Sequence, residues 1–262
     1  HITRIALAGS DATGVDFGFS FNAVVNTLAG DAQDDDGSFN RTVQGSLRQF
    51  IQHANAISSA NAMRFVPTGA TNATDSGGND WWRITVTSAL PTLSDDNSTI
   101  DGTAYDFSDG TTTLNTNPIV LGYVGSVGLG DDALPATGDE PALSGVSGPE
   151  LEIFHDRVAD GNMAIGLDLQ ANNVTVRSIG IYGFGVSSLS QDADIRVGVN
   201  GGATNFTGIL IEDNVIGSSA ASFVDPGLTA RSPVNDIAVF GADGGTIQDN
   251  LIGYAGRFGI FP

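Results

Sequence analysis

Hydrophobic positions in the C-terminal half of the chain follow a pattern that returns at a nearly constant distance. Aliphatic residues alternate with polar ones for a few positions, a short polar bend follows, and a second aliphatic run begins. The clearest copies are IEDNVIG at 211–217 and IQDNLIG at 247–253, and VRSIGIY at 176–182 is a looser one. Their leading residues lie 35 and 36 residues apart. A repeat at near-constant period indicates stacked supersecondary units.

Each copy holds two short stretches with the alternation typical of β-strands. The bend between them is too tight for a hairpin, so we interpret the stretches as successive sides of a coil. A coil of three strands and three turns needs roughly 20–27 residues, and the observed period leaves room for one inserted loop. The pattern therefore predicts an all-β chain folded as a parallel β-helix, a solenoid. Two parallel ladders are predicted: Val176, Ile211 and Ile247, and Ile181, Ile216 and Ile252.

One segment has helical spacing instead. Ser46 followed by Gln49 is a capping box, which satisfies two amides at the start of a helix. Phe50 belongs to an apolar stripe at helical spacing over residues 47–54. Because an open end of a β-helix exposes core side chains and strand edges, we interpret residues 46–57 as an amphipathic helix that caps the N-terminal end.

The same pattern divides the chain into two parts. Residues 1–21 contain aliphatic and aromatic strands that fit no coil, and we interpret them as the end of a preceding domain, a linker or an assembly segment. Residues 22–262 form the predicted β-helix. The last residues, 258–262, look like the opening of another coil without a cap. The sequence thus predicts that the coils continue beyond residue 262 or are completed by another chain.

Charge narrows the range of partners. The chain has 30 acidic and 10 basic residues, a formal net charge of −20, and no cysteine. Such a charge repels nucleic acid and anionic membrane surfaces, and no apolar run approaches the roughly 20 residues of a membrane span. We therefore expect neither nucleic-acid binding nor membrane insertion, and an acidic surface suited to extracellular surroundings.

Four motifs carry a family resemblance: GSLRQFIQHANAI at 45–57, ALP at 89–91, TIDG at 99–102 and ANNVTVR at 171–177. In that order they resemble the N-terminal part of right-handed, pectin-lyase-like β-helix modules of large bacterial and archaeal cell-surface proteins. VDFGF at 15–19 resembles the end of a collagen-adhesin B-type immunoglobulin-like repeat. The acidic stretch at 28–44 departs from the pattern, which has a short turn there.

The resemblance implies a right-handed β-helix at the cell surface or outside the cell, and it specifies the module better than any activity. We expect a non-catalytic structural or adhesive role, with partners that are copies of itself, neighbouring domains of a longer chain, or surface glycans. Head-to-tail contact between copies would build a filament. A polysaccharide lyase or glycoside hydrolase of this fold is the alternative, and a carbohydrate-binding module is the second alternative.

Candidate catalytic groups are few. Arg177 is the Arg that our register places in a strand, where a lyase base could sit, but it also fits a solvent-facing Arg beside acidic neighbours. Asp213 and Asp249 are stacked equivalents one coil apart, at about the spacing of a retaining hydrolase pair. Both occupy a corner where Asp is a common turn residue. We assign no catalytic residue and no required cofactor.

Binding candidates are weaker still. Asp34, Asp35 and Asp36 offer oxygen ligands for Ca²⁺, but the bidentate Glu of an EF-hand loop is missing. Trp81 and Trp82 fit a sugar-stacking platform or, more simply, core filling. Structural roles are predicted for Ser46, Gln49 and Phe50 in the helix, and for Asn214 and Asn250 as a ladder of stacked amides.

Overall fold

Short strands joined by tight corners make up most of the computed structural model, which describes residues 22–27, 45–122, 125–126, 128–135, 137–186 and 191–262. These residues contain one helix, α1 (Leu47–Ala56). The strands up to residue 147 are β1 (Ala23–Val24), β2 (Asn61–Ala62), β3 (Arg64–Phe65), β4 (Ala73–Thr74), β5 (Asp80–Thr85), β6 (Ser98–Asp101), β7 (Val120–Leu121), β8 (Gly125–Ser126), β9 (Ala142–Leu143) and β10 (Val146–Ser147). The later strands are β11 (Leu151–Phe154), β12 (Ile165–Leu169), β13 (Thr175–Arg177), β14 (Ile179–Tyr182), β15 (Ala193–Gly198), β16 (Phe206–Thr207), β17 (Leu210–Glu212), β18 (Val215–Ile216), β19 (Asn235–Phe240), β20 (Ala242–Asp243), β21 (Thr246–Gln248), β22 (Leu251–Ile252) and β23 (Phe258–Phe261).

Three larger sheets organise these strands. Sheet I has the order β2-β6-β13-β17-β21, sheet II the order β4-β5-β11-β14-β18-β22, and sheet III the order β12-β15-β19-β23. All neighbours within them are parallel except β4, which pairs antiparallel with β5. From residue 151 onward, successive strands lie in sheets II, III and I, and this order repeats to the last strand. The short strands β16 and β20 pair with each other outside these sheets. Strands dominate the described residues, which agrees with the all-β prediction.

The predicted register is confirmed in both ladders. Val176 pairs with Ile211 and Ile211 with Ile247, all in parallel strands of sheet I. In sheet II, Ile181 pairs with Ile216 and Ile216 with Ile252. The first two members of each ladder are fully buried, and the last ones are half-buried against the same core cluster. The alternation of aliphatic and polar residues therefore fixes which side chains point inward.

Corners between the sheets depend on left-handed backbone. Where sheet I meets sheet II, Ser178, Asp213 and Asp249 have φ of 56°, 55° and 52°. One strand earlier in the stack the same corner is Gly102, where an added Cβ would lie 2.1 Å from the carbonyl oxygen of Ser178. Asp tolerates the left-handed region better than most residues with a Cβ. The two stacked aspartates thus have a backbone reason for their position.

Helix α1 begins at the predicted place and ends within one residue of the predicted boundary. Ser46 is its N-cap, and its Oγ accepts a hydrogen bond from the amide of Gln49 at 3.1 Å. The Gln49 side chain accepts from the amide of Gly45 at 2.6 Å, one residue before the amide that a capping box uses. Phe50 is 1% exposed and joins the core cluster formed by the inward residues of the strands. Residues 1–21 and the acidic segment with Asp34, Asp35 and Asp36 lie outside the described residues.

Candidate functional site

Arginines on the outward faces of the three sheets are paired with carboxylates on neighbouring strands. Arg83 on β5 pairs with Glu152 on β11, and Arg196 on β15 with Asp168 on β12. Arg177 on β13 pairs with Asp101 on β6 at 2.8 Å. The hydrogen bond and charge of Asp101 raise the pKa of Arg177, so the guanidinium is held in its protonated form and has no free site to accept a proton. This geometry supports Arg177 as a structural cation and gives no support to a lyase base.

Glu152 anchors a loop over the outer face of sheet II. Its carboxylate is fully buried and accepts hydrogen bonds from Arg83 Nε, from Ser219 Oγ at 3.0 Å and from the amide of Ala220 at 2.9 Å. Trp81 packs with Ala220 under this loop and is 3% exposed. Trp82 faces the core and is 4% exposed. Neither indole offers a ring face to a sugar, so the stacking-platform alternative is wrong.

A cleft of about 400 Å³ runs along the corner between sheets I and II. Its walls are residues 102–103 and 178 on the corner and residues 114–115 and 145–150 on the facing segments. Two carboxyl groups line it: Glu150, which is 7% exposed, and Asp213, which is exposed at the corner. Asp249, the stacked equivalent of Asp213, is not among the lining residues. Of the two aspartates that the sequence analysis considers as a pair, the cleft therefore contains only Asp213.

The two carboxyls of the cleft have different surroundings. Glu150 accepts hydrogen bonds from the amides of Thr116 and Asn117, at 2.8 and 3.0 Å, and from the Thr116 hydroxyl. Burial raises the pKa of Glu150, although these hydrogen bonds oppose the shift. Partial burial and the charges of Glu212 and Asp249 raise the pKa of Asp213. A raised pKa favours the protonated form that a general acid needs. The bonds of Glu150 also give it a structural task, which is to hold the 114–117 segment.

Asn214 and Asn250 lie directly before β18 and β22, two adjacent strands of sheet II. Asn214 is fully buried, and its Nδ2 donates to the carbonyl of Val176 at 3.0 Å and to Asn250 Oδ1 at 2.9 Å. Its Oδ1 accepts from the amide of Ile179 at 3.1 Å. Asn250 Nδ2 in turn donates to the carbonyl of Ile211 at 2.8 Å. The two side-chain amides thus satisfy backbone groups of β13, β14 and β17.

Sequence reasoning did not single out Glu150, Glu152 or Ser178. Glu152 interrupts the aliphatic run LEIF of β11, and a carboxylate in a buried strand is a signal that it has partners.

Among the residues that the structure describes, no three or more His, Asp or Glu side chains are grouped to hold a metal ion. His155 is fully buried, with its ring nitrogens 2.8 and 2.9 Å from the carbonyl oxygens of Val86 and Gly161.

Comparison with protein-family profiles, with characterised proteins and with solved structures finds no match to this chain. In the described ranges, no helix is both long and apolar enough to cross a membrane. Inferences about function therefore rest on the geometry of the sheets, the corner cleft and the last strands.

Proposed function

We propose that the chain is a non-catalytic structural module of the cell surface or extracellular space, built as a right-handed parallel β-helix. The observation that carries the proposal is the fixed order in which the chain visits sheets II, III and I. A chain that passes through three parallel sheets in a constant order stacks one coil on the next. Such solenoids have stability that is close to a sum over neighbouring repeats, so coils can be added without changing the fold.

The last strand of each sheet supports the assembly part of the proposal. β21, β22 and β23 are the final strands of sheets I, II and III, and each has a partner on one side only among the described residues. Phe258 is 43% and Ile260 is 45% exposed there. A cavity of about 250 Å³ opens between Ile211, Val239 and Ile247 nearby. Unpaired backbone beside exposed apolar side chains is a template for another strand. We propose a coil of a neighbouring copy as its occupant.

Substituting Ile260 tests this assembly. The wild-type chain is expected to associate with rising concentration, because each added coil pairs the free edge and covers its apolar residues. Ile260→Arg places a charge in that contact and is expected to leave a particle of 26.9 kDa at every concentration. Val158→Arg, at a residue that is 74% exposed in the turn after β11, is the matched control and is expected to associate like the wild type.

Sedimentation velocity measures the size of the associated particles, and electron microscopy shows whether they are filaments. Association of the Ile260→Arg variant at the wild-type concentration would place the contact elsewhere. A wild-type chain that stays monomeric at all concentrations would reject self-association of this chain as the role of this end.

A second candidate function, a polysaccharide-active enzyme, is favoured only by the corner cleft with Glu150 and Asp213. Under the structural proposal, the chain releases no sugar from acidic or neutral polysaccharides. Under the enzyme alternative, Glu150→Gln or Asp213→Asn lowers the rate about 10²-fold or more, because general acid–base catalysis contributes that much. Asp249→Asn is the control, since Asp249 has the same backbone conformation outside the cleft.

Reducing-end release and the absorbance of unsaturated products measure hydrolysis and elimination. Turnover that falls in both cleft variants and survives in Asp249→Asn would replace the structural proposal. Binding of a glycan without turnover, lost in the same two variants, would instead support the carbohydrate-binding alternative.

A further inference from the structure

Two buried carboxyl groups face each other on neighbouring strands of sheet III. Ala193 pairs with Asn235 and Ile195 with Ile237, so the register sets Asp194 on β15 beside Asp236 on β19. Neighbouring strands lie about 4.8 Å apart, so the two side chains are neighbours on one face of the sheet, and the charge of Asp194 acts on Asp236. Both residues are completely buried. A pair of this kind is costly unless something neutralises it.

Hydrogen-bond donors reach only one member of the pair. Ser232 Oγ lies 2.6 and 2.7 Å from the two oxygens of Asp194, and the amide of Phe184 donates to it at 3.1 Å. Neither oxygen of Asp236 receives a hydrogen bond from any donor in the described ranges. Asp236 instead faces bare backbone, because a Cβ added to Gly217 would lie 2.7 Å from its Oδ1.

Cations around the pair are engaged elsewhere. Arg196, two residues along β15 from Asp194, pairs with Asp168, and Arg231, next to Ser232, pairs with Asp225. His155 lies behind Phe184, with ring centroids 5.6 Å apart, and both of its nitrogens face backbone carbonyls. The remaining acid of this region, Asp192, accepts a hydrogen bond from the amide of Val186 at 2.9 Å. Within the described ranges, a proton is therefore the available neutralising group.

We propose that Asp194 and Asp236 share a proton and act as a pH-sensitive latch on sheet III. The latch holds two connections to the sheet. Ser232 belongs to the long connection between β18 and β19, and its Oγ also accepts from the amide of Gly183 at 3.0 Å, in the connection after β14. When the shared proton leaves, two adjacent buried charges repel each other, and this repulsion destabilises the packing of both connections on sheet III.

The direction of the pH dependence follows from burial. Burial, followed by the charge of Asp194, raises the pKa of Asp236 to about 10, and burial also raises the pKa of Asp194. An unfolded Asp titrates near 4. The latch is therefore fully closed below about pH 4, and its stabilisation is lost as pH rises through the higher pKa of the folded state. Between these limits the folded state holds one extra proton, and the unfolding equilibrium constant rises about tenfold per pH unit.

Urea unfolding from pH 5 to pH 9 tests the latch in three proteins. The unfolding equilibrium constant of the wild type is expected to rise about tenfold per pH unit because of this pair. Asp236→Asn keeps the shape and donates a permanent N–H to Asp194, so it is expected to remove that rise and to unfold less readily than the wild type at pH 9. Asp243→Asn, at an exposed residue of β20, is the matched control and is expected to keep the wild-type slope.

Three results would overturn the latch. One is an equal slope in the wild type and in Asp236→Asn. Another is a wild-type midpoint at pH 7 that moves with excess CaCl₂ or with EDTA while that of Asp236→Asn does not, since a cation and not a proton would then neutralise the pair. The third result concerns the wild type alone. Its infrared spectrum at pH 7 is expected to contain the carbonyl band of a protonated, non-exchanging carboxylic acid. Its absence rejects the proposal even if Asp236→Asn does not fold.

Discussion

Replacing Phe50 with alanine is expected to lower the free energy of unfolding by about 3–5 kcal/mol. The ring is 1% exposed and belongs to the same core cluster as Leu47, Ile51 and the inward residues of the strands. Truncation removes buried apolar surface and leaves a cavity that the surrounding strands cannot close, because their side chains are fixed by the parallel register. Urea unfolding monitored by circular dichroism measures the loss.

Ser46→Ala is the companion measurement in the same helix. It removes the Oγ that accepts from the amide of Gln49 and is expected to cost about 1 kcal/mol. A Phe50→Ala variant no less stable than Ser46→Ala would show that the apolar face of α1 contributes little to the core. The interpretation of α1 as a cap on the coils would then fail with it.

The helix and the two aliphatic ladders were predictable because each depends on a local pattern. A capping residue followed by apolar positions three and four apart specifies α1 whatever lies around it. Alternation with a period of two fixes which face of a strand points inward, and a fixed repeat length then brings equivalent residues such as Ile211 and Ile247 together. Both signals can be read without knowing any long-range contact.

The cleft and the buried acid pair were not predictable in this way. Glu150 and Asp213 lie 63 residues apart in the sequence and line one cleft because a corner of the stack faces the segment before β11. Asp194 and Asp236 lie in strands that look half-polar, so the sequence suggests solvent at those positions. Only the connections that fold back over sheet III bury them. Features that arise where inserted loops cover a regular stack leave no periodic signal.

On the outer surface of the stack, too, local patterns predict the direction of a side chain, and inserted loops determine its exposure. Strand alternation predicts that Arg83 and Arg177 point outward, and both do, but it does not predict how much water they meet. Arg177 keeps 46% of its side-chain surface exposed beside Asp101, whereas the loop held by Glu152 reduces Arg83 to 32%. An exposed pair contributes roughly 0–1 kcal/mol, so the pair of Arg83 with the fully buried Glu152 is expected to contribute more to stability than the pair of Arg177 with Asp101.

Asn214→Ala is expected to cost about 2–4 kcal/mol, the second largest loss we predict. The side chain is fully buried and satisfies the carbonyl of Val176 and the amide of Ile179, on either side of the left-handed Ser178. Alanine leaves the buried amide of Ile179 without its acceptor and removes a second hydrogen bond from the carbonyl of Val176, which the parallel ladder with β17 also engages. A buried group left without a partner costs about 1–3 kcal/mol. Urea unfolding gives the size of the loss, and hydrogen exchange at the amide of Ile179 shows whether it is local.

Asn250→Ala separates the role of the ladder from that of a single amide. Asn250 is half-buried one strand later, where water can replace part of what is lost, so its truncation is expected to cost only about 0.5–1.5 kcal/mol. If the bonds along the ladder dominated, Asn250→Ala would cost at least as much as Asn214→Ala, because it removes both hydrogen bonds that Asn250 Oδ1 accepts from Asn214, whereas Asn214→Ala removes only the one from Nδ2. A larger loss for Asn214 means that corner asparagines stabilise the stack chiefly by satisfying backbone groups of the preceding coil.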